Sequence, residues 1–510
     1  MNFSSLPDRR AEQDPDGFAV ADGSQSLTNA QLLDRVRAAA QHLRKLGISP
    51  GDVVALQLKN RAEFVVLLFA AWRLGATITP VNPNLTDIEV VRQLDDSGAR
   101  LVVVEDGVAA RGNTATVAVV EVDIDPLNAS GALAPSSALD RFYRTVVEWA
   151  EQPRVDSSAL ALLIYTSGTT GVPKGVMLDH ANIDAMAAMG VQALQLEPAD
   201  RCLLILPLFH VNGIVVSVLA TLLAGAGVVI AGRFDPRSFF ALVERERPAF
   251  FSAVPTIYSM LAALPDDVRP DTSSLRFGIC GAAPASAELL TRFETRYGFP
   301  LIEGYGLSEG TCGTTLNPLR GPRRIGTAGI PFPGQEIRIV DDSGCEVPVG
   351  VDGEITVRGP NVMRGYLGRP DDTARVLVDG WLHTGDIGHV DEDGYLTLVG
   401  RSKDMIIRGG ENIYPKEIED VLTGVPSILE AAVIGVPDER WGEVVVAYVQ
   451  PRPGSTIDPA DLKAVCAQHL TPYKHPTSFI AAETIPKNAV GKIDKVALRA
   501  AHASASTASV

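Results

Sequence analysis

The sequence predicts an α/β fold. It comprises a large N-terminal domain of doubly wound α/β subdomains with a small β-barrel-like unit, followed by a small α+β C-terminal domain. Three observations predict it. Through most of the chain, helical apolar spacing alternates with short apolar runs, as where crossover helices link parallel strands. From about Arg338 the pattern becomes short strands and tight turns, marked by Asp341-Asp342-Ser343-Gly344 and Asp391-Glu392-Asp393-Gly394. After Gly400-Arg401-Ser402-Lys403-Asp404 it changes again, to a compact mixture of helix and strand of about 100 residues, a normal domain size.

The elements follow in order. Thr28 to Leu46 has helical spacing, a Thr28 cap and a Gly47 stop. Val53 to Leu58 reads as a strand, Glu63 to Leu74 as a helix ending at Gly75, and Ala99 to Val104 as a strand. Asp125 to Ala138, rich in Pro, Ala and Ser, reads as a surface loop. Ala159 to Ile164 is a short buried strand, and Leu275 to Cys280 another. Gly213 to Gly232 carries no charge and is long enough to span a bilayer. Gly225, Gly227 and Gly232 break it, so a buried helix (Ile214 to Ala224) and a buried strand (Val228 to Ala231) are expected instead. In the last domain, helices are expected over Tyr414 to Leu422 and Asp458 to His469, and strands over Ala431 to Gly435 and Glu443 to Gln450. The Ala/Ser-rich residues 500–510 read as a disordered tail.

Composition narrows the function classes. With 46% hydrophobic and 21% charged residues, the 510-residue chain is globular and can bury a large core. A net charge of −16 argues against nucleic acid as partner, while leaving room for a local anion site. Five scattered cysteines without a CxxC pair fit a reducing cytoplasm rather than a disulfide framework or zinc site. Neither a signal core at the N-terminus nor a peroxisomal or lipid address at the C-terminus is read.

The chemistry centres on Tyr165-Thr166-Ser167-Gly168-Thr169-Thr170-Gly171-Val172-Pro173-Lys174-Gly175. Glycines let a backbone approach a ligand and turn its N–H groups inward. The hydroxyls of Thr166, Ser167, Thr169 and Thr170, with the cation of Lys174, suit a polyphosphate. The spacing is not that of a P-loop, and alone the segment could be a turn. Six further motifs follow it: Pro207-Leu208-Phe209-His210-Val211-Asn212-Gly213, Gly281-Ala282-Ala283-Pro284, Glu303-Gly304-Tyr305-Gly306-Leu307-Ser308-Glu309, Trp381-Leu382-His383-Thr384-Gly385-Asp386, residues 400–415, and Pro486-Lys487-Asn488-Ala489-Val490-Gly491-Lys492-Ile493-Asp494. The ordered set resembles the adenylate-forming superfamily, in its acyl-CoA synthetase branch of fatty-acid and aryl-CoA ligases, over nearly the whole chain.

The resemblance implies a division into residues 1–400 (ATP and acyl sites), a hinge at 401–404 and a mobile domain at 405–499. It implies that Thr166, Ser167, Gly168, Thr169, Thr170, Gly171 and Lys174 wrap the β- and γ-phosphates. Glu309, with Thr166, would hold Mg2+, a hard cation that takes oxygen ligands. Tyr305 would stack on adenine, with Gly281, Ala282 and Ala283 opposite and Glu303, Gly304, Gly306 and Ser308 completing the nucleotide site. The family often has Thr where this chain has Ser308; either supplies a hydroxyl. Asp386 would take the ribose hydroxyls, and Arg401 the ribose or phosphate. Lys492 would bridge carboxylate and α-phosphate in the transition state. Lys403 holds the hinge position, about which the small domain would turn to bring Gly409, Gly410, Glu411 and Asn412 to a pantetheine channel. Glu411 and Asn412 could instead cap the helix near Pro415.

For the acyl pocket the resemblance points to Phe209, His210, Val211, Gly213, Phe251 and Leu307, with His210 gating the thiol; the plainer alternative for His210 is a core histidine. Amino-acid-activating relatives place an aspartate where Val211 stands, so an acid without an α-amino group is expected, fatty (medium- or long-chain) or aryl. No basic residue for a second carboxylate is evident, apart from Arg233. No carrier domain follows Lys492, so free coenzyme A is the expected acceptor. The implied reactants are ATP, Mg2+ and coenzyme A, with no nucleic acid, no transmembrane segment, a cytoplasmic location and a monomer or homodimer. A ligase loading a separate carrier protein and a catalytically silent nucleotide-binding regulator are the alternatives; luciferase-type oxidation finds little support.

Overall fold

The computed structural model describes residues 3–105, 118–122, 155–166, 173–283, 285–409, 411–438, 440–487 and 492–507. The expected loop at 125–138 and much of the phosphate loop, Ser167 to Val172, lie outside the described residues. Two largely parallel sheets dominate. A nine-stranded sheet runs Ile330–Pro331, Thr315–Leu316, Leu301–Tyr305, Phe277–Cys280, Phe250–Ala253, Arg201–Leu204, Gly227–Ile230, Phe18–Ala21 and Ser26–Thr28 in spatial order. A seven-stranded sheet runs Gly365–Tyr366, Lys174–Asp179, Leu160–Thr166, Thr77–Pro80, Val53–Gln57, Ala99–Glu105 and Ala118–Val122.

Some helices are buried on every side, so their sequence is apolar all round. Every residue of the helix Ala62–Arg73 is buried. Its two charged members have partners. Arg73 pairs with Asp8 at 2.6 Å, and Asp8 also accepts from Arg37 at 3.0 Å. Arg61 pairs with Glu63 at 2.6 Å. The Trp72 indole N–H donates to the Ala161 carbonyl at 2.9 Å, tying this helix to the strand that enters the phosphate loop. The Thr28 cap forms as expected: its side chain accepts from Gln31 N–H.

The uncharged stretch after Gly213 is core. Gly227–Ile230 is a parallel strand between Arg201–Leu204 and Phe18–Ala21. The preceding helix departs from α geometry: Asn212–Ala220 is π-helical, and only Thr221–Leu223 is α. Among the described residues, no helix is long and apolar enough to cross a membrane.

The barrel-like unit is a five-stranded antiparallel sheet of Glu336–Val340, Gly353–Arg358, Trp381–Val390, Leu377–Val378 and Leu396–Arg401. The C-terminal domain packs the helices Pro415–Thr423 and Pro459–His469 on a sheet led by the long hairpin Ile428–Asp438 and Gly442–Pro451. The tail corrects an expectation. Residues 500–510 read as disordered, yet the helix Lys495–Thr507 runs through most of them. Alanine favours helix, Leu498 is buried, and His502 Nδ1 bonds the Tyr448 hydroxyl at 2.7 Å, so tertiary contacts anchor the segment.

Candidate active site

In open α/β sheets, ligands bind beyond the carboxyl ends of the parallel strands. Ala253 lies opposite Cys280, and Cys280 opposite Glu303. Gly281-Ala282-Ala283 and Gly304-Tyr305-Gly306 therefore emerge side by side at one sheet edge. A Cβ on Gly281 would come 3.3 Å from the Gly304 carbonyl, which explains glycine there. Ala282 has φ +69°, Thr311 +54° and Cys312 +108°. Left-handed backbone at side-chain-bearing residues costs about 1–3 kcal/mol each and clusters at functional sites. The turn from Gly306 to Gly313 is tight: a Cβ on Gly306 would fall 1.6 Å from the Cys312 carbonyl. Burial raises the Cys312 thiol to about 12.

The strands flanking the expected phosphate loop, Leu160–Thr166 and Lys174–Asp179, are antiparallel neighbours, and Thr166 faces Lys174. Lys174 Nζ pairs with Asp372 at 3.1 Å and sits 5.0 Å from the Tyr366 ring centroid. The Tyr366 hydroxyl donates to Glu309 Oε1 at 2.8 Å, and Met363 N–H donates to the Glu309 carbonyl at 2.8 Å. Asn361 Nδ2 donates to the Gly310 carbonyl at 2.7 Å, while Thr311 Oγ1 donates to the Asn361 carbonyl at 2.5 Å. The segment Asn361 to Tyr366 thus braces the carboxylate and links it to the phosphate-loop lysine. A fixed carboxylate beside a phosphate loop fits Mg2+, which binds through one or two carboxylates plus substrate phosphates.

Asp386 is nearly buried. Its Oδ1 meets Arg401 Nε at 2.7 Å, and its Oδ2 accepts from the Tyr305 hydroxyl at 2.5 Å. Five residues expected around the nucleotide therefore fall into two contact sets: Gly281 with Gly304, and Tyr305 through Asp386 to Arg401. The Glu303 carboxylate accepts from Gly326 N–H at 3.3 Å, and the charges of Lys416 and Asp420, on the helix Pro415–Thr423, act on it. Burial, slightly offset by the Gly326 N–H and Lys416, raises its carboxyl to about 7.

Phe209 and His210 form a wall, their ring centroids 4.5 Å apart. Asn60 fixes the turn before them, donating to the Leu206 carbonyl at 2.9 Å and accepting from Leu208 N–H at 2.8 Å. Gly213 lets the next turn close: a Cβ there would lie 2.8 Å from the Pro207 carbonyl. Burial, then the charge of Lys492, lowers His210 to about 4, so its ring is neutral at pH 7. His210 Nε2 is buried without a protein partner. Lys492, of the C-terminal domain, is near enough for its charge to act on the His210 ring.

Other expected residues land differently. Phe251 does not line a pocket. It is fully buried among Phe239, Tyr258 and Phe299. Alternation along Phe250–Ala253 turns Phe250 and Phe251 to opposite faces, and both faces are packed. Val211 packs into the main core. Leu307 is half-buried beside Gly310, and Arg233 is exposed. Gly409 turns the hairpin Ile406–Arg408 and Glu411–Ile413, whereas Gly410 lies outside the described residues. Glu411 and Asn412 sit in a strand; Tyr414 precedes the helix, without a side-chain cap. Lys403 lies in a single 3-10 turn, Ser402–Asp404. The bracing residues Tyr366 and Asn361 were not singled out from sequence. The glycine-flanked Gly365-Tyr366 was the available signal.

This arrangement has known counterparts. A family model described as AMP-binding enzyme matches residues 7–367, and one described as AMP-binding enzyme C-terminal domain matches residues 417–492. The chain belongs to the AMP-binding enzyme family, in the CoA-ligase branch of the adenylate-forming superfamily. It is 41% identical to a feruloyl-CoA synthase of an Amycolatopsis species, covering 98% of this chain and 99% of the relative. It is 37% identical to an oxalate–CoA ligase of Arabidopsis thaliana, covering 97% of each. Among solved structures, ATP-bound MatB from Rhodopseudomonas palustris superposes with a TM-score of 0.90 at 33% identity, covering 98% of this chain and 99% of that one.

Proposed function

We propose that the protein is an ATP-dependent acyl-CoA synthetase for a compact, mainly apolar acid of the aryl class rather than a long-chain fatty acid. The observation that carries this reading is the packing behind the strained turn Gly306 to Gly313, read here as one wall of the acyl site. One side of that turn is filled. A Cβ on Gly313 would lie 2.7 Å from the Phe332 ring and 3.0 Å from Met186. Behind it, Gln335 Nε2 donates to the Gly313 carbonyl at 2.8 Å and lies 3.6 Å from the Met189 sulfur. A flat ring suits such a space; an extended chain would need an exit. The exposed position of Arg233 leaves no identified cation for a second carboxylate.

The chemistry follows from the groups present. An oxygen of the carboxylate attacks the α-phosphorus of ATP. A new O–P bond forms, the bond to the bridging oxygen breaks, and pyrophosphate leaves with that electron pair. Lys174 and Thr166 at the neck of the phosphate loop hold the leaving phosphates. Mg2+, held by Glu309 and Thr166, would neutralise charge on them. Lys492 places its ammonium where carboxylate and α-phosphate meet, stabilising charge that develops there. Neutral His210 presents an unpartnered Nε2 to the acyl group without adding charge. Asp386 and Arg401 orient the ribose. In the second step, rotation about Lys403 withdraws Lys492 and brings the Gly409 turn to the cleft. The coenzyme A thiolate then attacks the acyl carbon and AMP leaves.

The test is ATP-dependent AMP release over a panel of aryl, arylalkenoic, dicarboxylic and fatty acids, each with and without coenzyme A. Release that needs coenzyme A and peaks on aryl acids is expected. A peak on long-chain acids overturns the acid class. Adenylate that coenzyme A cannot discharge points to a carrier-protein acceptor. Silence throughout, with ATP bound, points to a regulator.

A further inference from the structure

We propose that Glu354 is the positioning residue that sets Asp386, and through it the enzyme's discrimination between a ribose and a deoxyribose nucleotide. The inference rests on reading Asp386 as the ribose carboxylate.

Asp386 does not sit in a regular strand. Between Gly353–Arg358 and Trp381–Val390, Glu354 pairs with Ile387 and Thr356 with His383. Ile355 alone therefore faces Thr384, Gly385 and Asp386. A bulge of this kind re-aims a side chain at the cost of ladder bonds. Its backbone groups must find other partners. Gly385, at φ +70°, has the left-handed conformation that only glycine adopts cheaply. Its N–H donates to Glu354 Oε1 at 2.9 Å. On the other side of the bulge, His383 Nδ1 lies 2.8 Å from Glu354 Oε2. A carboxylate only accepts, so that nitrogen carries the hydrogen. One carboxylate thus ties both flanks of the bulge. The remaining groups are closed by Thr384, whose hydroxyl donates to the Ile355 carbonyl at 2.7 Å and accepts from Asp386 N–H at 3.1 Å.

Asp386 leaves this bulge pointing at Arg401 and Tyr305, which each engage one of its oxygens. An ionised carboxylate offers about four lone-pair sites, so two remain for a vicinal diol. Without Glu354, the Gly385 N–H loses its partner and the bulge can slip toward regular pairing. A slip of one residue turns a strand side chain to the opposite face. Ribose reading would then fail, while base and phosphate contacts, carried on other elements, would persist.

Pyrophosphate exchange with ATP, 2′-deoxy-ATP and 3′-deoxy-ATP tests this. Glu354→Ala is expected to lower kcat/KM for ATP about 10- to 100-fold, chiefly through KM, as loss of a charge-assisted hydrogen bond allows. The deoxynucleotides should change little, so the ATP preference collapses to within about threefold of unity. Glu354→Gln, which keeps an acceptor for Gly385 N–H, should restore most of the preference. Glu354→Asp keeps the charge but is a methylene short, and stands in if the alanine variant does not fold; it should also collapse the preference. Asp386→Ala separates the two readings. If it abolishes the preference and the Glu354 variants lose all three nucleotides equally, or lose nothing, the positioning role is wrong. If Asp386→Ala retains the preference, the ribose reading falls, and this inference with it.

Discussion

Replacing Glu303 with glutamine removes a carboxyl that the fold raises from 4.5 to about 7, chiefly by burial. At about 1.4 kcal/mol per pH unit, keeping that group ionised costs the folded protein about 3 kcal/mol. Residual solvent contact trims this to about 2–3 kcal/mol. The sign follows from linkage. The native state holds the proton more tightly than the unfolded chain. The contribution is therefore fully present below pH 4.5 and is lost as pH rises through about 7. Glutamine has no proton to lose. At pH 8 the variant should be the more stable by about 2–3 kcal/mol, and that advantage should shrink toward zero at pH 4.5. For a domain of about 400 residues, with an unfolding entropy of about 2.1 cal/mol/K per residue, this is about 3 °C in Tm. Calorimetry of both proteins at pH 5 and pH 8, at matched ionic strength, reads it. A Tm difference that is the same at both pH values would refute the reasoning.

Other expectations follow from the same structure. Lys492→Ala should slow adenylate formation about 100- to 1,000-fold, the scale of one preorganised charge, yet spare thioester formation from supplied acyl adenylate; equal loss in both half-reactions would falsify the two-conformation mechanism. Lys403→Pro, which fixes φ at the hinge, should preserve adenylation and block thioester formation; normal overall turnover would count against a hinge there. Asp8→Ala should cost about 3–5 kcal/mol, because it leaves Arg73 buried without its carboxylate, read as a fall in Tm of the large domain. Titration of native protein with a disulfide reagent should find Cys345 fast; Cys202 and Cys312, raised to about 12 by burial, and the buried Cys280 should react only on unfolding. Rapid modification of more than one thiol would contradict that.

Much of this was legible in the sequence because local chemistry set it. Thr28 followed three residues later by Gln31 is a capping box, and it forms. Glycines at 225 and 227 split an uncharged stretch into helix and strand, and both are present. What was not legible depends on partners far away in the chain. Phe251 looked like a pocket residue until strand pairing showed which face it takes and that both faces are covered. Tyr366 and Asn361 act on Glu309 and Gly310 from more than 50 residues away, across a strand pair the sequence does not announce. Glu354 reads as an ordinary strand carboxylate, because its role lies in a register shift against residues 383–387. The tail read as disordered from its Ala/Ser content; what orders it is Leu498 and the Tyr448–His502 bond, both tertiary.

The π-helical segment Asn212–Ala220 has a consequence for how this scaffold can vary. Such a helix closes on i to i+5 bonds and so stores a surplus residue relative to an α-helix. Deleting one residue there would let the segment relax to α geometry while the strand Gly227–Ile230, locked between two neighbours, stays in place. Because the residue removed is the surplus one, the flanking turns keep their phase; Phe209 and His210 hold their place, and the segment itself narrows as its wide turns tighten. Length alone, with no change of residue type, would remodel the packing beside Phe209 and His210, the wall assigned above to the proposed acyl site. A single-codon deletion is thus a route to altered acid preference that substitution scanning would never sample.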